Sequence, residues 1–94
     1  MLSREEGLAA AAAFLEEEVQ GWAEQHAVRT MPDRAFIDGS ILIVPYDSVA
    51  SLDGGDESER LGGNVPVRVD LSTGECDYID VHDVMAYEAR GFVF

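Results

Sequence analysis

Ala35-Phe36-Ile37-Asp38-Gly39-Ser40-Ile41-Leu42-Ile43-Val44 carries the clearest strand signal in the chain. Two runs rich in β-branched and aromatic residues flank Asp38-Gly39, the dipeptide best suited to a type I′ turn, so the segment reads as a β-hairpin. The second run, Ile41 to Val44, is continuously apolar instead of alternating, which implies a strand covered on both faces. Pro45 and Tyr46 mark its exit or a sheet edge.

Upstream of the hairpin the period is helical. Ser3-Arg4-Glu5-Glu6 has the form of a capping box, in which the Ser3 hydroxyl accepts from the Glu6 amide and the Glu6 carboxylate reaches back to the Ser3 amide. Leu8, Ala11, Ala12, Leu15, Val19 and Trp22 then recur at three- and four-residue steps, while Glu5, Glu16, Glu17 and Gln20 fall mainly off that stripe. This predicts one long amphipathic helix from residue 4 to about residue 26, with Gly21 weakening its last turns and Pro32 setting the furthest limit. Such a helix is long enough to cover one face of the Ile41–Val44 strand.

Downstream, residues 51–64 hold four glycines, four acids and one arginine, a composition for a long surface loop. Val65, Val67, Val69 and Leu71 alternate with polar residues or proline, giving a strand with one dry face; Ser72-Thr73-Gly74 turns the chain, and Cys76, Tyr78 and Val81 continue the alternation on a returning strand. Asp80 or Asp83 caps a short helix through Val84, Met85, Tyr87 and Glu88 that stops at Gly91. The order is therefore α-β-β-β-β-α: an α+β fold in which a long N-terminal helix packs on a four-stranded, mostly antiparallel sheet, followed by a short C-terminal helix. With 94 residues and no repeat or linker, residues 1–94 read as a single domain.

Composition narrows the function. Apolar residues are 47% of the chain, enough to build a core and to remove the composition expected of disorder. Six basic residues against nineteen acidic ones give a formal charge of −13, which repels phosphate backbones and anionic lipid surfaces, so neither nucleic acid nor membrane is an expected partner. The same charge steers encounter with a basic protein. The start of the chain carries acids where a signal peptide carries bases, and Leu8 to Leu15 is too short to span a bilayer. Together with the single cysteine, Cys76, this points to the cytoplasm.

Catalytic chemistry is hard to assemble from these residues. The histidines, His26 and His82, lie in no nucleophile motif, and Cys76 falls on the dry face of a strand, where it reads as a small core residue. His82 between Asp80 and Asp83 lacks the further ligands of a zinc site. Asp53, Asp56, Glu57 and Glu59 lack the spacing of a calcium loop, and Gly54-Gly55 and Gly62-Gly63 are not followed by the Gly-Lys-Ser/Thr of a phosphate cradle. The nineteen acids read as a solvated acidic face before they read as a glycosidase pair. No enzyme activity, metal or cofactor is expected. Trp22 reads as core, whereas Phe92 and Phe94 are equally suited to core or to a partner.

Ile41-Leu42-Ile43-Val44-Pro45-Tyr46-Asp47, an acidic glycine-bearing loop, Leu61-Gly62-Gly63-Asn64-Val65-Pro66-Val67-Arg68-Val69-Asp70, and Ser72-Thr73-Gly74-Glu75 together resemble the bacterial immunity protein 35 (YrhB-like) family. With the preceding helix, the resemblance covers nearly the whole chain. Where members of that family often open the aromatic strand with Gly-Trp, this chain has Gly39-Ser40. The resemblance implies an immunity protein that neutralises a polymorphic toxin by covering its active site, and a chaperone-like role has also been suggested within the family.

The expected function is thus protein binding. The acidic loop, with Asp53, Asp56, Glu57 and Glu59, faces a basic protein partner such as a toxin, joined by Tyr46 and Asp47 at the strand end. The alternative is a chaperone-like or homo-oligomeric module, a homodimer in its simplest form, that associates through the apolar Phe92-Val93-Phe94 terminus.

Overall fold

The computed structural model describes residues 1–21, 27–49 and 65–92. Trp22, His26, the 51–64 segment with Asp53, Asp56, Glu57 and Glu59, and the terminal Val93 and Phe94 lie outside the described residues.

Helix α1 spans Arg4–Val19. The capping box forms as expected: the Glu6 amide donates to Ser3 Oγ at 3.1 Å and the Ser3 amide donates to Glu6 Oε1 at 3.0 Å. These bonds hold the Glu6 carboxyl below its usual pKa. The helix ends at Val19, earlier than the residue 26 that its apolar stripe predicted. Glu16, Glu17 and Glu18 put three carboxylates, and no base, at the negative end of the helix dipole, and Gly21 follows at once.

The buried side of α1 is Gly7, Ala11 and Leu15, flanked by half-buried Leu8, Phe14 and Val19. Ala12, expected on the stripe, is exposed, and Phe14 takes a packing role that the pattern had not assigned to it. Its ring meets Tyr78 edge-on, with centroids 5.3 Å apart.

Among the described residues six strands follow in chain order: β1 Val28–Thr30, β2 Phe36–Asp38, β3 Ile41–Val44, β4 Tyr46–Ser48, β5 Val67–Asp70 and β6 Cys76–Tyr78. The main sheet has the order β2-β3-β5-β6 with every neighbour antiparallel, which is the four-stranded sheet expected. Unexpected is a second, two-stranded pairing of β1 with β4.

The two pairings form one interrupted hairpin. Five residues separate Thr30 from Phe36, but only two separate their partners Tyr46 and Ile43, and the surplus is a single 3₁₀ turn, Pro32–Arg34. Pro45 explains the interruption. Met31 donates its amide to the Pro45 carbonyl at 2.8 Å, but proline has no N–H to return to Met31. The Met31 carbonyl is instead taken by the Arg34 amide at 3.1 Å, which closes the 3₁₀ turn. The Arg4 guanidinium, donating to the Pro32 carbonyl at 2.7 Å, ties the start of α1 to this turn.

The tight turn of the hairpin is displaced by one residue from its expected place. Asp38 pairs with Ile41, so Gly39-Ser40 occupy the central positions, and only Gly39 has positive φ, at 64°. That is the pattern of a type II′ turn instead of type I′.

Cross-strand register sorts the two faces of the sheet. Leu42, Val44, Val67, Val69 and Tyr78 share the face under α1 and make the core with Ala11, Leu15, Tyr46 and Leu71. Phe36, Ile43, Arg68 and Asp77 share the other. Helix α2, Val81–Ala89, starts just after β6 with Asp80 as its N-cap, and Gly91 follows it at φ 98°. Val81, expected on the returning strand, is instead its first residue. The far end of α2 reaches β2, where Tyr87 and Phe92 pack on Phe36, so the helix runs from one edge of the second face to the other. Ile43 on that face is buried, as the continuously apolar run required.

Candidate functional site

Of the residues expected to meet a partner, Tyr46 and Asp47 lie within the described structure, and both are buried, at 5% and 7% exposure. Tyr46 belongs to the core, 6.5 Å between centroids from Tyr78, and burial pushes its hydroxyl pKa up to about 12. Asp47 accepts the Ser48 amide at 2.8 Å and stands opposite Arg29 in the β1–β4 ladder. These two side chains do not form a surface. They anchor the backbone that leads into the acidic segment, whose four carboxylates lie outside the described residues.

Cys76 is half-buried and packs against the core, and its Sγ lies 3.8 Å from the Gly74 carbonyl. Burial pushes the thiol pKa up, away from the thiolate form that nucleophilic chemistry uses. The His82 backbone N–H donates to the Asp80 carboxylate at 2.7 Å, which caps α2. Among the described residues no cluster of three His, Cys, Asp or Glu side chains is placed to hold a metal ion, and no described helix is long and apolar enough to cross a membrane.

Three surface features remain. The first is a groove of about 420 Å³ between the C-terminal half of α1 and β1, with apolar Leu15, Val19 and Val28 and charged Glu16 and Arg29 in its lining.

The second is the β6 edge of the sheet. Ile79 donates to the Pro66 carbonyl and Asp70 to the Glu75 carbonyl, so the alternation of the ladder turns the Tyr78 amide away from β5. Asp77 covers that amide with its own carboxylate at 2.8 Å. A charged side chain closing an outward N–H is a guard against a second chain adding to the edge.

The third feature is α2. Val84 and Tyr87 turn toward the sheet and are half-buried, yet no residue of the helix is fully buried. Val81 and Met85, one turn apart, are 63% and 64% exposed. Residues 75–88 around them carry five exposed carboxylates, Glu75, Asp77, Asp80, Asp83 and Glu88, and no arginine. Sequence reading placed Val81 on a strand and Met85 inside the helix. The four-residue step from Val81 to Met85 to Ala89, beside a second stripe of Val84 and Tyr87, was the available sign that this helix has more apolar residues than one buried face can use.

Of the C-terminal aromatics, Phe92 stacks on Phe36 with centroids 3.9 Å apart and planes at 12°. Arg90 lies 5.4 Å from the Phe92 ring centre and 5.5 Å from that of Tyr87, and it makes an ion pair with Asp38 at 3.4 Å. Phe92 is thus used within the chain.

No family model matches this sequence, and neither a curated protein nor a solved structure matches it.

Proposed function

We propose that this chain is a protein-binding module that neutralises a basic protein by direct contact, in the manner of a bacterial immunity protein acting on a toxin in the cytoplasm. The observation that carries the reading is the charge: nineteen acids against six arginines, with five exposed carboxylates and no arginine or lysine between residues 75 and 88. A field of one sign raises the rate of encounter with an oppositely charged partner by roughly 10 to 10³-fold at low salt. The resemblance of the Ile41–Asp47 and Leu61–Glu75 stretches to immunity protein 35 sequences supports the same reading. In it, Asp53, Asp56, Glu57 and Glu59 supply further carboxylates, and buried Tyr46 and Asp47 hold the strand that precedes them in sequence.

The test is affinity capture from the native host at low and then moderate salt, followed by titration of the purified pair. A stoichiometric basic partner whose affinity falls as salt rises, and whose own activity is lost on binding, is the expected result. A partner that is acidic, or one whose affinity ignores salt, overturns the reading.

A further inference from the structure

On a helical wheel at about 100° per residue, Val81, Met85, Ala89, His82 and Ala86 occupy one continuous arc of α2. Every one of them is exposed. Glu88 borders the arc on one side and Asp83 on the other, while Val84 and Tyr87 take the opposite, sheet-facing side. A helix on a solvated surface normally turns its polar side outward. Here the outward side is a largely apolar strip, Val81, Met85, Ala86 and Ala89 with His82 among them, and a carboxylate at each margin.

Resting on the protein-binding reading above, we propose that this outward face of α2 is where the partner docks, and that the docking element is a cationic amphipathic segment: apolar side chains set over Val81 and Met85, with lysine or arginine beside Asp83 and Glu88. Charge complementarity selects this occupant. A second copy would bring Asp83 and Glu88 against their own equivalents, and a net charge of −13 against the same charge. An anionic lipid surface is repelled for the same reason. The strip is short, about 13 Å for nine residues, which suits the anchoring of one helical or extended segment better than the roughly 800 Å² that each side of a stable protein pair buries. The Asp77 guard on the neighbouring β6 edge turns an incoming chain away from strand addition and leaves the helix face as the contact.

The three methionines make the test direct. Met85 lies on the strip, Met1 is exposed at the far terminus, and Met31 is buried. With the full chain labelled at its methionine methyls, a synthetic leucine–lysine amphipathic helix is titrated in, beside a scrambled peptide of the same composition and a leucine–glutamate counterpart. The Met85 methyl resonance should move and saturate with the leucine–lysine helix alone, while Met1 and Met31 stay in place. Met85→Glu and Val81→Asp should each weaken binding by about tenfold or more, with an unmoved Met31 signal showing that the fold is kept. Equal movement of Met1 and Met85, no saturation, or equal response to the scrambled peptide overturns the proposal. So does a Met85 shift that depends on protein concentration without peptide, which would assign the strip to a second copy. A captured basic partner whose affinity ignores both variants overturns this docking face and leaves the protein-binding reading standing. Absence of any basic partner overturns that reading itself.

Discussion

Tyr87 donates its hydroxyl to Asp38 Oδ2 at 3.0 Å, joining the last turns of α2 to the end of strand β2 across 49 positions of sequence. The bond sits beside the stack of Phe36 on Phe92 and the Arg90–Asp38 pair, so one corner of the molecule holds α2 against the second face of the sheet. Helix α2 has no fully buried residue, and this corner is therefore its principal attachment at the C-terminal end.

Tyr87→Phe should lower stability by about 0.5–1 kcal/mol, the lower part of the hydrogen-bond range, because Asp38 is well exposed to water. Denaturant unfolding measures the change, and amide exchange should show it concentrated in α2. A loss spread evenly over α1 and the sheet would contradict the corner's local role.

Tyr78→Phe should act in the opposite sense. The Tyr78 hydroxyl is buried with no partner in full hydrogen-bond geometry among the described residues; burial first, then the charge of the nearby Glu18 carboxylate and a long, weak hydrogen bond to it, push its pKa up. Removing a buried hydroxyl that gains only a long contact with Glu18, while keeping the ring that meets Phe14, should leave stability unchanged or raise it by up to about 1 kcal/mol. An unfolding midpoint clearly below that of the parent chain would show that the hydroxyl is bonded after all.

Gly7→Ala sets helix propensity against space. Alanine favours the helix by about 1 kcal/mol over glycine. The added Cβ would come to 2.7 Å from Cδ2 of both Leu42 and Leu71, which are buried in the core and have little room to withdraw. Overpacking of this kind costs about 1–3 kcal/mol, so the net effect should be destabilising. Adding Leu71→Val should recover part of the loss, since it withdraws one of the two methyls; thermal unfolding of the single and double variants decides it.

Alkali should weaken the fold through Tyr46. Its pKa is raised from 10.0 to about 12, by burial first and then by Tyr78. The unfolded chain gives up this proton near its ordinary value, so the stability contribution is complete below about pH 10 and is lost as pH rises toward 12. Tyr46→Phe should flatten that decline in an unfolding series from neutral pH upward. Tyr78 and Tyr87 are shifted in the same direction and retain part of it. An identical alkaline decline in parent and variant would remove Tyr46 as its cause.

Part of this fold is written in neighbouring residues alone. The Ser3–Glu6 capping box, the Phe36–Val44 hairpin apart from its one-residue shift of the turn, the turn after Asp70 and the Gly91 stop each depend on a few adjacent side chains competing for local backbone groups, and of the two caps open to the last helix, Asp80 and Asp83, Asp80 is the one that formed. Tertiary structure decided the rest. Val28–Thr30 is too short to announce a strand and becomes one only because Tyr46–Ser48, some eighteen positions away, offers it a ladder. The missing N–H of Pro45 shapes the 3₁₀ turn opposite, through a pairing that no local window contains. Asp47 and Tyr46 look like a polar strand end in one dimension and are buried in three, because β1 and the core close over them. In α2 two apolar stripes compete for one sheet face. Only the contacts of Tyr87 with Phe36 and Asp38 settle that Val84 and Tyr87 turn inward, leaving Val81 and Met85 to the solvent.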